Sequence, residues 1–321
     1  MKFFVYLFLI FSVSLFANND LTEYRINGIK SLQKKFDYEL TKLDYWKEYL
    51  KDKDTSFGYI ESSSSILICN TNASKIKLYK KDNNNKFKLK TKYNAFTGKL
   101  KGDKQEEGDL RTPLGIYHLT KKIVKLDSFY GPLAFVTSYP NVYDKYKNKN
   151  GSGIWIHGLP EDEERDSFTK GCIAIDNDDI KKLDKTINFE KTLLIIDEEK
   201  IENLTSKKKL SNILAQIYMW RYAWINNDLD KYISFYSNEF KRVDGVGIDN
   251  FKRYKKRLFS KNEYKTIVFK NIDVVPYPNS KNIYKVSFKE LYKSDSFSFI
   301  GEKVLMLKID KKNTISIITE K

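Results

Sequence analysis

The 321-residue chain has only two histidines and two cysteines. Both shortages exclude chemistry. His118 and His157 show no His-Glu-x-x-His spacing, and a zinc hydrolase takes two or three imidazoles with carboxylate support. No metal and no cofactor is therefore expected. Cys69 and Cys172 lack the Cys-x-x-Cys spacing of thiol–disulfide exchange. Long apolar runs are missing after the first twenty residues, so no later segment is expected to span a bilayer. Internal repeats and low-complexity tracts are also absent. What remains is 41% hydrophobic and 15% aromatic, enough to build true cores. The length suits two domains and an appendage.

The chain begins MKFFVYLFLIFSVSLFANND. Lys2 precedes an apolar run from Phe3 to Phe16, and small Ala17 meets polar Asn18. Leu15 departs from the small residue expected three positions before a cleavage site. Residues 1–17 nevertheless read as a secretory signal peptide, so the mature protein is expected outside the cytoplasm with no stable membrane span. The net charge is +16. Export argues against nucleic acid as the partner of so basic a chain. An anionic extracytoplasmic polymer, such as the carboxylate-rich peptides of a cell wall, fits better. Lysines spread along the whole chain give the same charge with no partner at all. An oxidising compartment leaves a Cys69–Cys172 bridge open, but Cys69 lies in the strand-like SSSSILICN, where a buried structural thiol is expected.

Residues 18–60 carry Leu21, Ile26, Ile29, Leu32, Phe36, Leu40, Leu43, Trp46 and Leu50 at three- and four-residue steps, which predicts an amphipathic helical region. Its stripe needs cover, from the domain that follows it or from a second copy of the chain in a homodimer. Residues 61–200 change to short apolar runs, among them 66–69, 76–79, 86–90, 116–119, 134–137, 154–156, 173–175 and 193–196. Loops rich in Gly, Asn, Asp and Pro separate them, predicting a mainly-β domain interrupted by two helices, one near 177–183. The polar stretch 198–209 reads as a boundary. From 207 to 321 a helix bearing Leu210, Ile213, Leu214, Ile217, Trp220, Arg221 and Trp224 is expected. A short helix over 229–236 and a third capped by Asp249 follow, then strands over 264–275, 283–291, 297–309 and 314–319. The whole reads as α+β.

His157 closes the apolar run SGIWIH, before Gly158. Cys172 opens the run CIAI, after Gly171. Both side chains thus stand at loop–strand junctions of one domain. An imidazole can take the proton of a nearby thiol and activate it for attack on a carbonyl. Backbone amides around Lys170–Cys172 can serve the resulting oxyanion, and the imidazolium can protonate a leaving amine. His118, in GIYHL, is expected to be structural.

Ile156-His157-Gly158 followed by Thr169-Lys170-Gly171-Cys172-Ile173 resembles the signature of the L,D-transpeptidase catalytic domain, the YkuD family. Thr97-Gly98 and Thr112-Pro113-Leu114-Gly115 resemble its upstream segment, and the likeness covers about 62–198. The resemblance implies that Cys172 is the acyl-forming nucleophile and His157 its base. Gly158 orients the imidazole through its carbonyl, the Gly171 and Cys172 amides form the oxyanion hole, and Thr169 fixes the loop. Thr169, Lys170, Arg111, Arg165 and Trp155 are the candidate substrate contacts. The acidic run 161–166 is a solvated loop or a site for the amine of a diaminopimelate residue. Lys170 and Ala174 depart from the His and the Arg or Asn common at those positions.

The chain as a whole looks like the periplasmic L,D-carboxypeptidases that set helical cell shape. These join a helical N-terminal region, a YkuD-type domain and a C-terminal α+β cone similar to nuclear transport factor 2. That likeness implies trimming of peptidoglycan tetrapeptide stems to tripeptides with release of D-Ala. Transpeptidation shares the acyl-enzyme, and a non-catalytic wall-binding scaffold is the reading from another class. Trp220, Trp224, Tyr232 and Tyr236 either fill the C-terminal core or line a pocket for glycan.

Overall fold

A computed structural model describes residues 3–160, 166–199, 201–202 and 204–321, giving backbone alone for 3–18. The signal-peptide reading falls largely on residues whose side chains lie outside this description. No described helix is long and apolar enough to cross a membrane. Helix α1 (Phe3–Glu39) breaks at Gly28, whose φ of 75° favours glycine, and α2 (Leu43–Tyr49) follows. The expectation of helix through residue 60 is corrected: Tyr59–Ile60 form strand β1, paired with a C-terminal strand.

The C-terminal domain, rather than residues 61–200, covers the later part of this region. Trp46 and Leu50 enter the core of the C-terminal domain beside Leu214, Ile217 and Tyr218. Asp37 pairs with Arg221 at 2.8 Å, and both are buried. Arg221, the charged residue on the buried face of its helix, also donates Nε–H to the Ile267 carbonyl at 2.6 Å. A buried guanidinium is tolerated only when paired in this way. Further upstream, Leu21, Ile26 and Ile29 stay exposed.

Eight strands close a barrel. They are β2 (Ser65–Asn70), β3 (Lys75–Lys81), β4 (Phe87–Phe96), β5 (Gly115–Ile123), β6 (Ala134–Thr137), β7 (Trp155–His157), β8 (Ile173–Ile175) and β9 (Thr192–Asp197). Their order around the barrel is β2-β3-β4-β8-β7-β6-β5-β9. Helices α3 (Val142–Tyr146) and α4 (Asn177–Thr186) interrupt the strands. Strand β2 explains its own unbroken apolar run. Leu67 and Cys69 point into the barrel core, while Ile66 and Ile68 point into a second core shared with the C-terminal domain.

The C-terminal domain begins with α5 (Lys207–Ile225), capped by the Ser206 hydroxyl accepting from Lys209 N–H. Helix α6 (Leu229–Ile233) is shorter than expected. Helix α7 (Ile248–Phe259) is capped at Gly247, and Asp249 lies inside its first turn, where a carboxylate complements the helix dipole. Strands β10 (Lys265–Pro276), β11 (Ile283–Ser294), β12 (Ser298–Ile309) and β13 (Ile315–Glu320) complete a five-stranded sheet of order β1-β10-β11-β12-β13.

Candidate active site

Strands β7 and β8 run parallel, with Ile156 opposite Ile173 and His157 opposite Ala174. Ile156, Ile173 and Ile175 point into the barrel core. Alternation along a strand then turns His157 and Ala174 to the other face, and Cys172 immediately precedes this strand pair. Two separated sequence motifs thus become neighbours through one strand pair. Ala174 has a consequence here, since the residue opposite the imidazole is a methyl group rather than a long polar side chain.

His157 is almost fully buried. Its Nδ1 lies 2.7 Å from the Gly158 carbonyl oxygen. A carbonyl can only accept, so Nδ1 carries the proton of the neutral ring and Nε2 keeps its lone pair. The edge of the His157 ring meets Tyr130 at 5.1 Å between centroids, and Gly158 N–H donates to the Tyr130 carbonyl. The Cys172 thiol lies 3.4 Å from the Gly153 carbonyl oxygen.

Asn177 is a residue the sequence reading missed. Its side-chain oxygen accepts from Leu159 N–H at 2.8 Å and its amide donates to the Leu159 carbonyl at 3.1 Å. A Cβ on Gly158 would stand 2.3 Å from that same side-chain oxygen, so only glycine fits there. Asn177 therefore ties the start of α4, just after β8, to the loop that orients His157. The only signal in the sequence is an Asp-Asn pair between strand and helix, which reads simply as a cap. Asn177→Ala is expected to lower kcat/KM by about a hundredfold, the cost of a misplacement near 1 Å, with little change in melting temperature. Steady-state kinetics beside a thermal melt would show otherwise if activity and stability fell together.

The loop before Cys172 is held from below. Thr169 is buried; its hydroxyl donates to the Cys172 carbonyl at 2.6 Å and accepts from Gly171 N–H at 3.0 Å. Two expectations are corrected by these bonds. Thr169 fixes the loop and makes no surface for substrate. The Gly171 amide is engaged by the Thr169 hydroxyl and does not face outward as a donor. Gly171 has φ 135°, and a Cβ there would lie 2.8 Å from the Arg111 carbonyl oxygen. Thr97 and Gly98 belong to the same knot. Thr169 N–H donates to Thr97 O at 2.8 Å, and Gly98 N–H donates to Thr112 Oγ1 at 2.8 Å. The upstream Thr-Gly and Thr-Pro motifs are thus the floor under the Cys172 loop.

Arg111 lies beside this floor and donates Nε–H to the Lys101 carbonyl at 3.0 Å. Lys170 is exposed, and Trp155 is half-buried against Tyr130. Arg165 and most of the acidic run lie outside the described residues. Cys69 is free and fully buried; burial pushes its thiol up to about 12. Cys172 is also free of disulfide. Of the C-terminal aromatics, Trp220, Tyr232 and Tyr236 are core, whereas Trp224 is half-buried and lines a cavity of about 600 Å³.

Residues 64–196 match the family of the L,D-transpeptidase catalytic domain, YkuD. Residues 212–321 match the Cds6 C-terminal NTF2-like domain. The crystal structure of the helical cell shape determining protein Pgp2 from Campylobacter jejuni is 38% identical, with TM-score 0.80, over 88% of this chain and 99% of that one. Bd1075 of Bdellovibrio bacteriovorus is 30% identical, with TM-score 0.66, over 84% and 98%. "Putative L,D-transpeptidase YafK" of Escherichia coli (strain K12) is 27% identical over 155 residues, 48% of this chain. The match spans about half the length of that curated relative, 53%.

Proposed function

The chain belongs to the L,D-transpeptidase-domain (YkuD) family together with the Campylobacter jejuni cell-shape protein Pgp2, and from that premise we propose that it is a periplasmic L,D-carboxypeptidase of peptidoglycan. The observation that carries the reading is the His157 ring, its Nδ1 held by the Gly158 carbonyl at 2.7 Å, on the strand beside the one Cys172 opens. His157 Nε2 takes the thiol proton, and the thiolate attacks the carbonyl carbon before the terminal D-Ala. The oxyanion forms against the Cys172 amide. Collapse breaks the C–N bond, and the imidazolium gives its proton to the leaving amine. A water deprotonated by His157 then cleaves the thioester, freeing the tripeptide stem and the thiol.

Arg111 and Lys170 border the nucleophile loop and supply positive charge for the stem-peptide carboxylates. The C-terminal cavity, with Trp224, Tyr292 and Lys255 in its wall, is our candidate contact for glycan. The exposed apolar side of α1 is our candidate for pairing with a second copy. A role in cell shape follows from kinship with Pgp2. Transfer to an amine in place of water is the second reading, favoured by the name that the Escherichia coli relative carries.

Chromatography of purified muropeptides decides between them. Loss of tetrapeptide, gain of tripeptide and release of D-Ala are expected with the wild type. New cross-linked products would replace the hydrolase by the transpeptidase, and no product under reducing conditions would leave a binding scaffold.

A further inference from the structure

The barrel and the C-terminal sheet enclose a cavity of about 420 Å³ that neither Cys172 nor His157 lines. Lys285 of β11 reaches it. Along β11, Tyr284, Val286 and Phe288 enter the C-terminal domain's own core, while Ile283 packs into the core between the domains. Lys285 shares the face of Ile283, and its cross-strand neighbours are Val275 and Met306, both buried and apolar. A lysine with 6% exposure therefore stands in a row built for a hydrophobe.

The ammonium has little to hold it. Lys285 Nζ lies 3.2 Å from His118 Nε2, across the domain boundary. No carboxylate is within ion-pair distance of it among the described residues. Asp273, nearby in the same wall, accepts from the Glu61 and Ser62 amides and the Ser62 hydroxyl. Lys285 beside it, together with burial, pushes His118 down to about 3. The ring is thus neutral, accepts through Nε2 and presents Nδ1 as a donor. Burial pushes Lys285 down to about 8.

A buried cation whose one direct partner is a neutral imidazole, with Asp273 and Glu302 attracting it only from beyond ion-pair distance, costs stability that a well-packed apolar side chain would not. Such local rule-breaking belongs at sites kept for binding. Ser138 and Ser287 add hydroxyls to the wall, and the rim carries Glu302 with Lys145 and Lys321. We propose that this interdomain cavity binds a small amino-acid-type zwitterion, its carboxylate on Lys285 and its ammonium toward Glu302. The volume lies in the ordinary range for small-ligand sites. The same chemistry is offered by a free amino acid or by the free end of a short peptide. An occupant touching both domains favours their docked arrangement and raises stability by linkage.

Saturation-transfer NMR on the intact protein tests this, with D-alanine and D-alanyl-D-alanine as probes. Saturable contact is expected with the wild type and complete loss with Lys285→Met, whose melting temperature stays at or above wild type. Ser287→Trp, which fills the cavity, should lose the signal too and carries the test alone should Lys285→Met not fold. Contact with both probes assigns a free amino acid, and contact with the dipeptide alone assigns a peptide end. Signal that survives both substitutions, or no signal from either probe in the wild type, overturns the site.

Discussion

Cys172→Ala is expected to remove turnover of muropeptides by roughly 10⁴- to 10⁶-fold, and His157→Gln by nearly as much, because in the proposed mechanism nucleophile and base act as one unit. Cys172→Ser should fare little better, since a hydroxyl beside a neutral imidazole is a far weaker acid than a thiol. The pair can also be read without substrate. Iodoacetamide alkylates thiolate, and Cys69 does not compete, being fully buried with its thiol pushed up to about 12. Without its imidazole, Cys172 loses the group that takes its proton in the proposed mechanism. The alkylation profile of His157→Gln should therefore move to more alkaline pH than that of the wild type. Superimposable profiles would show that His157 does not act on the thiol, whatever happens to turnover.

Lys149→Met should cost about 3–5 kcal/mol, the penalty of stripping one partner from a buried ion pair. Lys149 bridges Asp103 and Asp144, at 3.0 Å from the latter, and its side chain is only 3% exposed. Asp144 is fully buried; it also accepts from Tyr117 OH and from Asn141 N–H in the capping box of α3. Asp103 accepts from Leu114 N–H within the Thr-Pro segment under the active site. One ammonium thus joins α3 to the floor beneath Cys172.

The variant has a pH signature. Burial already raises the Asp144 carboxyl above its usual range, against the pull of Lys149. With the lysine gone the rise is opposed only by the hydrogen bonds from Asn141 and Tyr117, and so it grows. The folded state then binds the Asp144 proton more tightly than the unfolded state does, so its stability increases as pH falls. The deficit in urea midpoint should be largest at neutral pH and narrow through the acidic carboxylate range. Lys47→Met breaks an exposed pair with Asp44 and serves as the control, with an expected change within about 1 kcal/mol. Equal midpoints for Lys149→Met and wild type would dismiss the buried network as a stabilising element.

Much of this molecule was legible in the chain. The eight apolar runs of residues 66–196 correspond to barrel strands because a strand buried on one or both faces must show its apolar residues. The motif residues around His157 and Cys172 could be named because their residue types admit little other chemistry. Less visible were features made by backbone atoms. No pattern in the sequence shows that the Gly171 amide is taken by the Thr169 hydroxyl, or that Asn177 grips Leu159, because a main-chain donor or acceptor carries no letter of its own. The extent of α1–α2 was misjudged for a related reason. A three-to-four-residue period reports an apolar face, not where the face ends or what covers it.

The sequence by itself determined the chemistry available to this protein. One histidine beside one glycine, one cysteine behind another, and no metal-binding set follow from residue identity alone, since reactivity begins with the functional group. The tertiary structure decided which groups meet. Pairing of β7 with β8 set the His157 and Cys172 motifs side by side, although fifteen positions separate them. Docking of the C-terminal sheet set Lys285 against His118, although 167 positions separate them. Contacts between residues so far apart depend on strand register and domain packing, and these are fixed by the burial of the whole chain rather than by any local stretch of it.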